Sequence, residues 1–220
     1  MEQRDELAFW ERFARAYAPF MKSSAGVYDA VCRGIRPYLC REMDVLELAC
    51  GSGQLSLPLS GRVHLWEATD FSPAMIEEAK CHPASVRLHF SVQDAASLPY
   101  GPETFDAVVI ANALHIMPHP DRVMAEIRRV LRRGGLLFAP TFLHGKGRRL
   151  RVLGMKAVGF RTYHDWDEAG FTAYLESQGF ELLEHRTISG GPEPLCFAAA
   201  RNTGDLRREV PGADFLSTRR

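Results

Sequence analysis

The chain has 220 residues, 46% of them hydrophobic and 25% charged, a composition typical of one globular domain with additions. Its 27 basic residues balance 27 acidic ones, so the net charge gives no overall attraction for nucleic acid or an anionic membrane. No apolar run reaches the roughly 18 residues of a spanning helix, and the charged start MEQRDELAFW does not resemble a signal peptide. The five scattered cysteines form no C-x-x-C pair, which argues against a zinc site and favours a reducing, cytoplasmic location.

Two amphipathic helices are predicted before the first strand. Apolar side chains spaced three and four residues apart predict one helix over residues 4–21. The same spacing predicts a second helix over residues 25–38, where Pro37 marks the end. We expect residues 1–40 to form an N-terminal helical cap.

From residue 44 onwards, short apolar runs alternate with helical patterns. Strands are predicted over residues 44–48, 64–69, 86–92, 105–111, 136–142, 181–187 and 194–200. Helices are predicted from Ser72-Pro73, with serine as N-cap, and over residues 120–133 and 165–178. This alternation predicts an α/β fold with a Rossmann-like, doubly wound, mostly parallel seven-stranded sheet over residues 41–201, followed by a loosely held tail over residues 202–220.

The stretch VLELACGSGQL, residues 45–55, leads the first strand into a glycine turn. In doubly wound folds, ligands bind at the carboxyl ends of the strands, near this first turn. A phosphate-binding P-loop is excluded, because no lysine follows Gly53. A dinucleotide-binding turn needs a third small residue where Ser56 stands, which weakens this alternative but leaves it open. Glu47 lies within the apolar run, where an acid is unfavourable unless it has a partner.

With Glu47 ahead of Gly51 and Gly53, the stretch resembles motif I of the class I S-adenosylmethionine-dependent methyltransferases, [E/D]-x-G-x-G-x-G. Ala49 replaces the first glycine, at little cost if its φ is negative. Order and spacing agree with that family over residues 43–142, most closely with the small-molecule branch that includes the ubiquinone-biosynthesis C-methyltransferases. The resemblance implies S-adenosylmethionine as cofactor, S-adenosylhomocysteine as product, and an N-terminal helical lid.

The resemblance also implies roles for residues after the second and third strands. Asp70, in EATDFSPAMIEEA, would hold both ribose hydroxyls, since one carboxylate accepts two hydroxyl protons. Asp94, in FSVQDAASLPY, would bind the adenine amino group, and Ala95 would offer a backbone N–H to the ring. The other cofactor-binding candidates, assigned by position in the family, are Glu47, Ala49, Gly51, Gly53, Phe71, Met75, Asn112 and Tyr17.

His115 follows the fourth strand, where the methyl group should emerge. It is the candidate catalytic base or acceptor contact, and a histidine hydrogen-bonded to its own loop is the alternative. His119 lies four residues on, but Pro118 stands between them and no third ligand is evident, so no metal is expected. Residues 146–156 carry five basic residues without interleaved aromatics, which indicates a solvated face or an anion contact rather than nucleic-acid binding.

The expected function is methyl transfer from S-adenosylmethionine to a small, partly apolar acceptor by in-line displacement. Aromatic residues are expected to roof the acceptor site: Trp10, Tyr17, Phe142, Phe160 and Tyr163. Two alternatives stay open, an NAD(P)-dependent oxidoreductase and a non-catalytic cofactor-binding module. The sequence names neither the acceptor nor the atom methylated, and it allows a monomer or a homodimer.

Overall fold

The computed structural model describes Glu11 and residues 25–143, 162–190 and 193–204. The rest of the predicted first helix, the basic stretch over 146–156 and most of the predicted tail lie outside the described residues.

One mixed sheet forms the centre of the described chain. Its strands are β1 (Asp44–Leu48), β2 (Leu65–Asp70), β3 (Leu88–Val92), β4 (Phe105–Ile110), β5 (Leu131–Phe138), β6 (Thr141–Phe142), β7 (Phe180–Ile188) and β8 (Leu195–Asn202). The order is β3-β2-β1-β4-β5-β8-β6, with β7 paired to β8. Strands β1 to β5 are parallel, and β8 runs antiparallel to β5, β6 and β7. The predicted α/β fold with a mostly parallel sheet is confirmed, with one short strand beyond the seven expected.

Helices connect the strands and cover both faces of the sheet. They are α1 (Ala25–Ile35), α2 (Ser56–Leu59), α3 (Pro73–Lys80), α4 (Pro120–Val130) and α5 (Glu168–Ser177). The predicted start of α3 is confirmed, because the Ser72 hydroxyl accepts the Met75 N–H at 3.4 Å and Pro73 occupies the first turn. Among the described helices, none has the length and apolar character needed to span a membrane.

Two apolar layers sandwich the sheet. Because side chains alternate along a strand, neighbouring β1 residues enter opposite layers. Val45 joins the layer formed with α1 and α2, whereas Leu46 joins the layer under α4 and α5. Strand β4 is buried on both faces, as its AVVI run predicts for a central parallel strand.

The predicted helix over residues 120–133 is wrong at its C-terminal end. It stops at Val130 because Leu131 already pairs with Phe105 on β4, so sheet pairing prevails over the helical pattern. The Asn202 amide then donates to three carbonyl oxygens around this end, including that of Leu131 at 3.1 Å.

The predicted fifth strand over residues 136–142 is interrupted. Strand β5 begins earlier, at Leu131, and ends at Phe138, and β6 resumes at Thr141. Pro140 lies in the gap and has no N–H to donate to the ladder, which accounts for the break. Both pieces still pair with β8.

Candidate functional site

The carboxyl ends of four parallel strands bring the predicted site residues to one edge of the sheet. Asp70 ends β2, Ala49 directly follows β1, and Asp94 and Asn112 each stand two residues beyond β3 and β4. Since these strands are adjacent in the order β3-β2-β1-β4, the four positions follow one another along that edge. The direction of winding reverses between β1 and β4, the place where doubly wound sheets bind ligands.

The turn after β1 has a left-handed backbone at three positions. Ala49, Gly51 and Gly53 have φ values of +52°, +55° and +87°. Glycine adopts this left-handed region freely, but alanine there is strained. We expected Ala49 to cost little if its φ were negative. Its φ is positive, so this condition is not met. The turn is tied to β2 by the Cys50 N–H, which donates to the Thr69 carbonyl at 2.9 Å.

Asp70 joins this turn to the start of α3. Its Oδ2 accepts the Gly51 N–H and its Oδ1 accepts the Ser72 N–H, both at 2.9 Å. Burial raises the pKa of this carboxyl, and the hydrogen bonds from Ser72 and Gly51 oppose that rise. Each oxygen keeps a second lone pair, so the fixed carboxylate is able to accept two further hydroxyl protons.

Glu47 is buried in the layer beneath α1, with 2% of its surface exposed. Its Oε2 accepts the indole N–H of the fully buried Trp66 at 2.9 Å. Burial raises the carboxyl pKa to about 8, and the side chains of Trp66 and Ser56 only partly oppose that rise. No motif marks Trp66 in the sequence, although strand alternation places Trp66 and Ala68 on the face that Glu47 shares.

Asn112 occupies the turn after β4 with a left-handed φ of +52°. Its backbone N–H donates to the Pro140 carbonyl at 2.8 Å, and its side-chain Nδ2 donates to the Tyr28 hydroxyl at 3.0 Å. The Oδ1 atom is buried and accepts no hydrogen bond within the described part of the chain. Tyr28 was not predicted as a site residue, because nothing local in the sequence links α1 to this turn.

His115 lies in the 3₁₀ turn Leu114–Ile116 and is 5% exposed. Its ring meets Phe142 edge-on, with ring centroids 6.5 Å apart. Its carbonyl oxygen accepts the N–H groups of Tyr163 and His164 at 3.0 and 3.1 Å. The structure thus brings His115 together with two residues of the predicted aromatic roof; the other three, Trp10, Tyr17 and Phe160, lie outside the described residues.

The remaining predicted cofactor contacts lie on or beside α3 and after β3. Met75 is buried in α3, and Phe71 is half-buried just before it. Asp94 and Ala95 are half-buried, and the Asp94 Oδ1 accepts the Ala96 N–H at 2.9 Å. Their positions near Asp70 are those the sequence led us to expect, and their adenine contacts stay predictions.

The two histidines with i, i+4 spacing do not share a helix. His115 is buried in the 3₁₀ turn, whereas His119 is the exposed N-cap of α4. In the described ranges, no group of three or more histidine, cysteine, aspartate or glutamate side chains is arranged to hold a metal ion.

Comparison with known proteins agrees with this geometry. Residues 45–135 match a family model described as a methyltransferase domain, a span that runs from β1 into β5. The demethylmenaquinone methyltransferase of Clavibacter sepedonicus is 28% identical over 67% of this chain and 69% of its own length. The ubiquinone biosynthesis O-methyltransferase of Methylobacterium nodulans is 26% identical over 81% of this chain and 78% of its own.

A solved structure shares the fold. The crystal structure of a SAM-dependent methyltransferase from Thermotoga maritima superposes with a TM-score of 0.69 at 18% identity. It covers 89% of this chain and 99% of its own. The shared architecture therefore extends beyond the span that the family model matches.

Proposed function

We propose that this chain is a class I S-adenosylmethionine-dependent methyltransferase and that it methylates a small, partly apolar acceptor at the edge formed by the ends of β1 to β4. This proposal rests on one observation. Along one edge of the sheet lie Glu47, the glycine turn, Asp70 and Asp94. The names of the two relatives point to acceptors from quinone biosynthesis, which supports an acceptor of this class.

The residues at this edge suit the cofactor. The ribose diol matches the spare lone pairs of Asp70, whose carboxylate two backbone N–H groups already hold in place. The methionine ammonium matches Glu47, a buried carboxyl bonded to a neutral indole. Gly51 and Gly53 place no side chain at the turn, which allows the methionine part of the cofactor to approach its backbone closely. We propose that the adenine binds among Phe71, Met75, Asp94 and Ala95. Asn112 and Tyr17 are proposed to make further contacts with the cofactor, which also approaches the backbone of Ala49.

The bound cofactor supplies an electrophilic methyl carbon on a positively charged sulfur. Asp70 and the glycine turn fix its position relative to the strand ends, and this alignment provides most of the rate enhancement expected for displacement. Phe142 and Tyr163, held near His115, form the apolar side of the proposed acceptor site and exclude water from it. A reaction that depends on alignment and on the exclusion of water needs few catalytic side chains.

His115 is the residue we propose as base, or as acceptor contact. It is buried after β4 and its backbone carbonyl is fixed by two N–H groups, so the ring stands on a defined turn. A neutral imidazole at that place takes the proton of an acidic acceptor hydroxyl as the methyl group is transferred.

The two alternative functions are not favoured. The dinucleotide-binding fold has the strand order 3-2-1-4-5-6, whereas here antiparallel β8 lies between β5 and β7. The family match and the relatives named above are methyltransferases, which speaks for an enzyme rather than a binding module.

The wider organisation of the protein is also proposed. We infer a helical cap over residues 1–40, a methyltransferase domain over 41–201 and a tail over 202–220. Free thiols at all five cysteines suit a cytoplasmic location. We further infer a monomer or homodimer that acts on small molecules and not on nucleic acid, in line with the zero net charge.

Formation of S-adenosylhomocysteine in the presence of different acceptors tests the proposal. The panel contains phenols and hydroquinones with and without apolar tails, small amines, carboxylic acids and transfer RNA. We expect turnover with a small, partly apolar acceptor and none with RNA. Turnover with RNA alone would contradict the proposed acceptor class while leaving the methyltransferase assignment in place.

A further inference from the structure

Glu47 is an acid in an apolar layer. In the register of the sheet it lies between Ala68 on β2 and Val109 on β4, and 2% of its surface is exposed. A carboxylate in such surroundings is strongly unfavourable unless a cation or several donors compensate its charge. The free protein therefore keeps this group largely as a neutral carboxyl.

Among the described residues, none places a cation beside Glu47. The titratable groups that interact with it are Asp70 on β2, Cys32 on α1 and Cys50 in the glycine turn. All three are neutral or negative, and the register partner of Glu47 on β4 is the apolar Val109. Burial accordingly raises the pKa of Glu47 to about 8.

Trp66 gives this carboxyl a fixed donor. Its indole N–H lies 2.9 Å from Oε2, and the ring is fully buried beside α1. A hydrogen bond of this kind is stronger to a carboxylate than to a neutral carboxyl. Trp66 is therefore placed to favour the ionised form once a cation arrives.

We propose that Glu47 gives up its proton to solvent when the cofactor's ammonium group binds beside it, and that Trp66 is the positioning residue that holds the resulting carboxylate. The O–H bond of the carboxyl breaks, its electron pair stays on oxygen, and the proton goes to buffer. This inference rests on the cofactor-binding role proposed for Glu47.

The proposed proton release fixes the direction in which cofactor affinity changes with pH. Because the complex holds fewer protons than the free protein, affinity rises with pH while the free carboxyl is protonated. One proton per ligand corresponds to an increase of about tenfold per pH unit. The test range is about pH 6 to 7.5, because an α-amino group such as that of the ligand loses its own proton at about 7.7–8.0.

Calorimetric titration with S-adenosylhomocysteine at about pH 7, in buffers of different ionisation enthalpy, measures the released protons directly. We expect about one proton per ligand for the wild type and none for Glu47→Gln. Glu67→Gln is the matched control, because Glu67 lies on adjacent β2 but accepts from Ser91 and Tyr100 instead. The ligand control is 5′-methylthioadenosine, which has no ammonium group and should release no proton.

The Trp66→Phe variant distinguishes a role of Trp66 in holding the Glu47 carboxylate from a role in packing alone. Without the indole donor, the pKa of Glu47 rises further, so the increase in affinity should move to higher pH. A purely structural role would lower stability and leave the pH profile in place, which would overturn the role of Trp66. If Trp66→Phe does not fold, the near-isosteric Glu47→Gln variant still decides the proton count.

The outcomes distinguish this inference from the proposed function. Tight binding of S-adenosylhomocysteine with heats independent of buffer would overturn the proton coupling and leave the methyltransferase site intact. Equal proton release by wild type and Glu47→Gln would assign the proton to another group and also overturn it. No binding to the wild type would overturn the proposed cofactor site, and the coupling with it.

Discussion

The side chains of Tyr28 and Asn112 meet although 84 residues separate them, with Nδ2 of the amide 3.0 Å from the phenolic oxygen. Tyr28 belongs to α1, and Asn112 forms the turn after β4. This contact fastens the first described helix to the edge where we propose that methyl transfer occurs.

Removal of the Tyr28 hydroxyl should therefore affect both stability and the site. Tyr28→Phe leaves the half-buried Asn112 amide without this partner, and we expect a loss of about 1 kcal/mol in the free energy of unfolding. Weaker cofactor binding should accompany it, since the turn after β4 loses an anchor. Tyr38→Phe is the control, because the Tyr38 hydroxyl bonds Glu184 on β7, away from this edge. Unchanged cofactor affinity in Tyr28→Phe would show that the contact serves stability alone.

Ala49→Gly should relieve strain in the glycine turn. A left-handed alanine is less stable than glycine by about 1–2 kcal/mol, and the greater freedom of glycine in the unfolded chain removes about half of that gain. We expect a net stabilisation of up to about 1 kcal/mol in urea denaturation. Ala125→Gly, at an exposed position within α4, should instead destabilise by about 1 kcal/mol. Equal destabilisation by both changes would contradict the strained backbone at position 49.

Glu47 should make the protein less stable as pH rises. Its pKa is about 8 in the folded protein, whereas an unfolded glutamate has a pKa of about 4.3. Between these values the folded state binds more protons than the unfolded state, so the contribution of Glu47 to stability falls with increasing pH. Glu47→Gln removes this pH-dependent contribution. As pH rises, the free energy of unfolding of the variant relative to that of the wild type should therefore increase by up to about 1.4 kcal/mol per pH unit. A difference between the two proteins that stays constant with pH would contradict this prediction.

His115→Gln should reduce turnover without loss of the cofactor. If the imidazole accepts the acceptor's proton, kcat should fall by about 10²-fold or more and the acid limb of the pH profile should disappear. Binding of S-adenosylhomocysteine should be retained, which calorimetry checks. His119→Gln serves as the control, because His119 is exposed at the start of α4. An unchanged kcat and pH profile in His115→Gln would remove the proposed base.

Local patterns in the sequence predicted most of the architecture. Strand β1 was predicted with its observed bounds, because an apolar run between Asp44 and a glycine turn has few other structures available. The start of α3 was equally clear, since Ser72 and Pro73 specify it locally. The order of the acids Glu47, Asp70 and Asp94 follows from the topology, because they lie at or near the carboxyl ends of the first three parallel strands, which meet at the same edge.

Features that depend on distant residues could not be predicted in this way. The end of α4 is set by pairing with β4 and by Asn202, about 70 residues further along the chain. The positive φ of Ala49 could not be predicted, because alanine is not a residue type that indicates a left-handed backbone. Tyr28 meets Asn112 only through the packing of α1 on the sheet, which periodicity alone does not specify.

The most direct test of the account is calorimetric titration of the wild type and of Asp70→Ala with S-adenosylmethionine, S-adenosylhomocysteine and NAD(H). We predict roughly micromolar binding of the first two ligands, a loss of at least about tenfold in the variant, and no binding of NAD(H). The loss follows because Asp70 is the carboxylate that the Gly51 and Ser72 N–H groups hold ready for the ribose. Binding of NAD(H) in place of the methyl donor, or equal affinity in Asp70→Ala, would contradict the account.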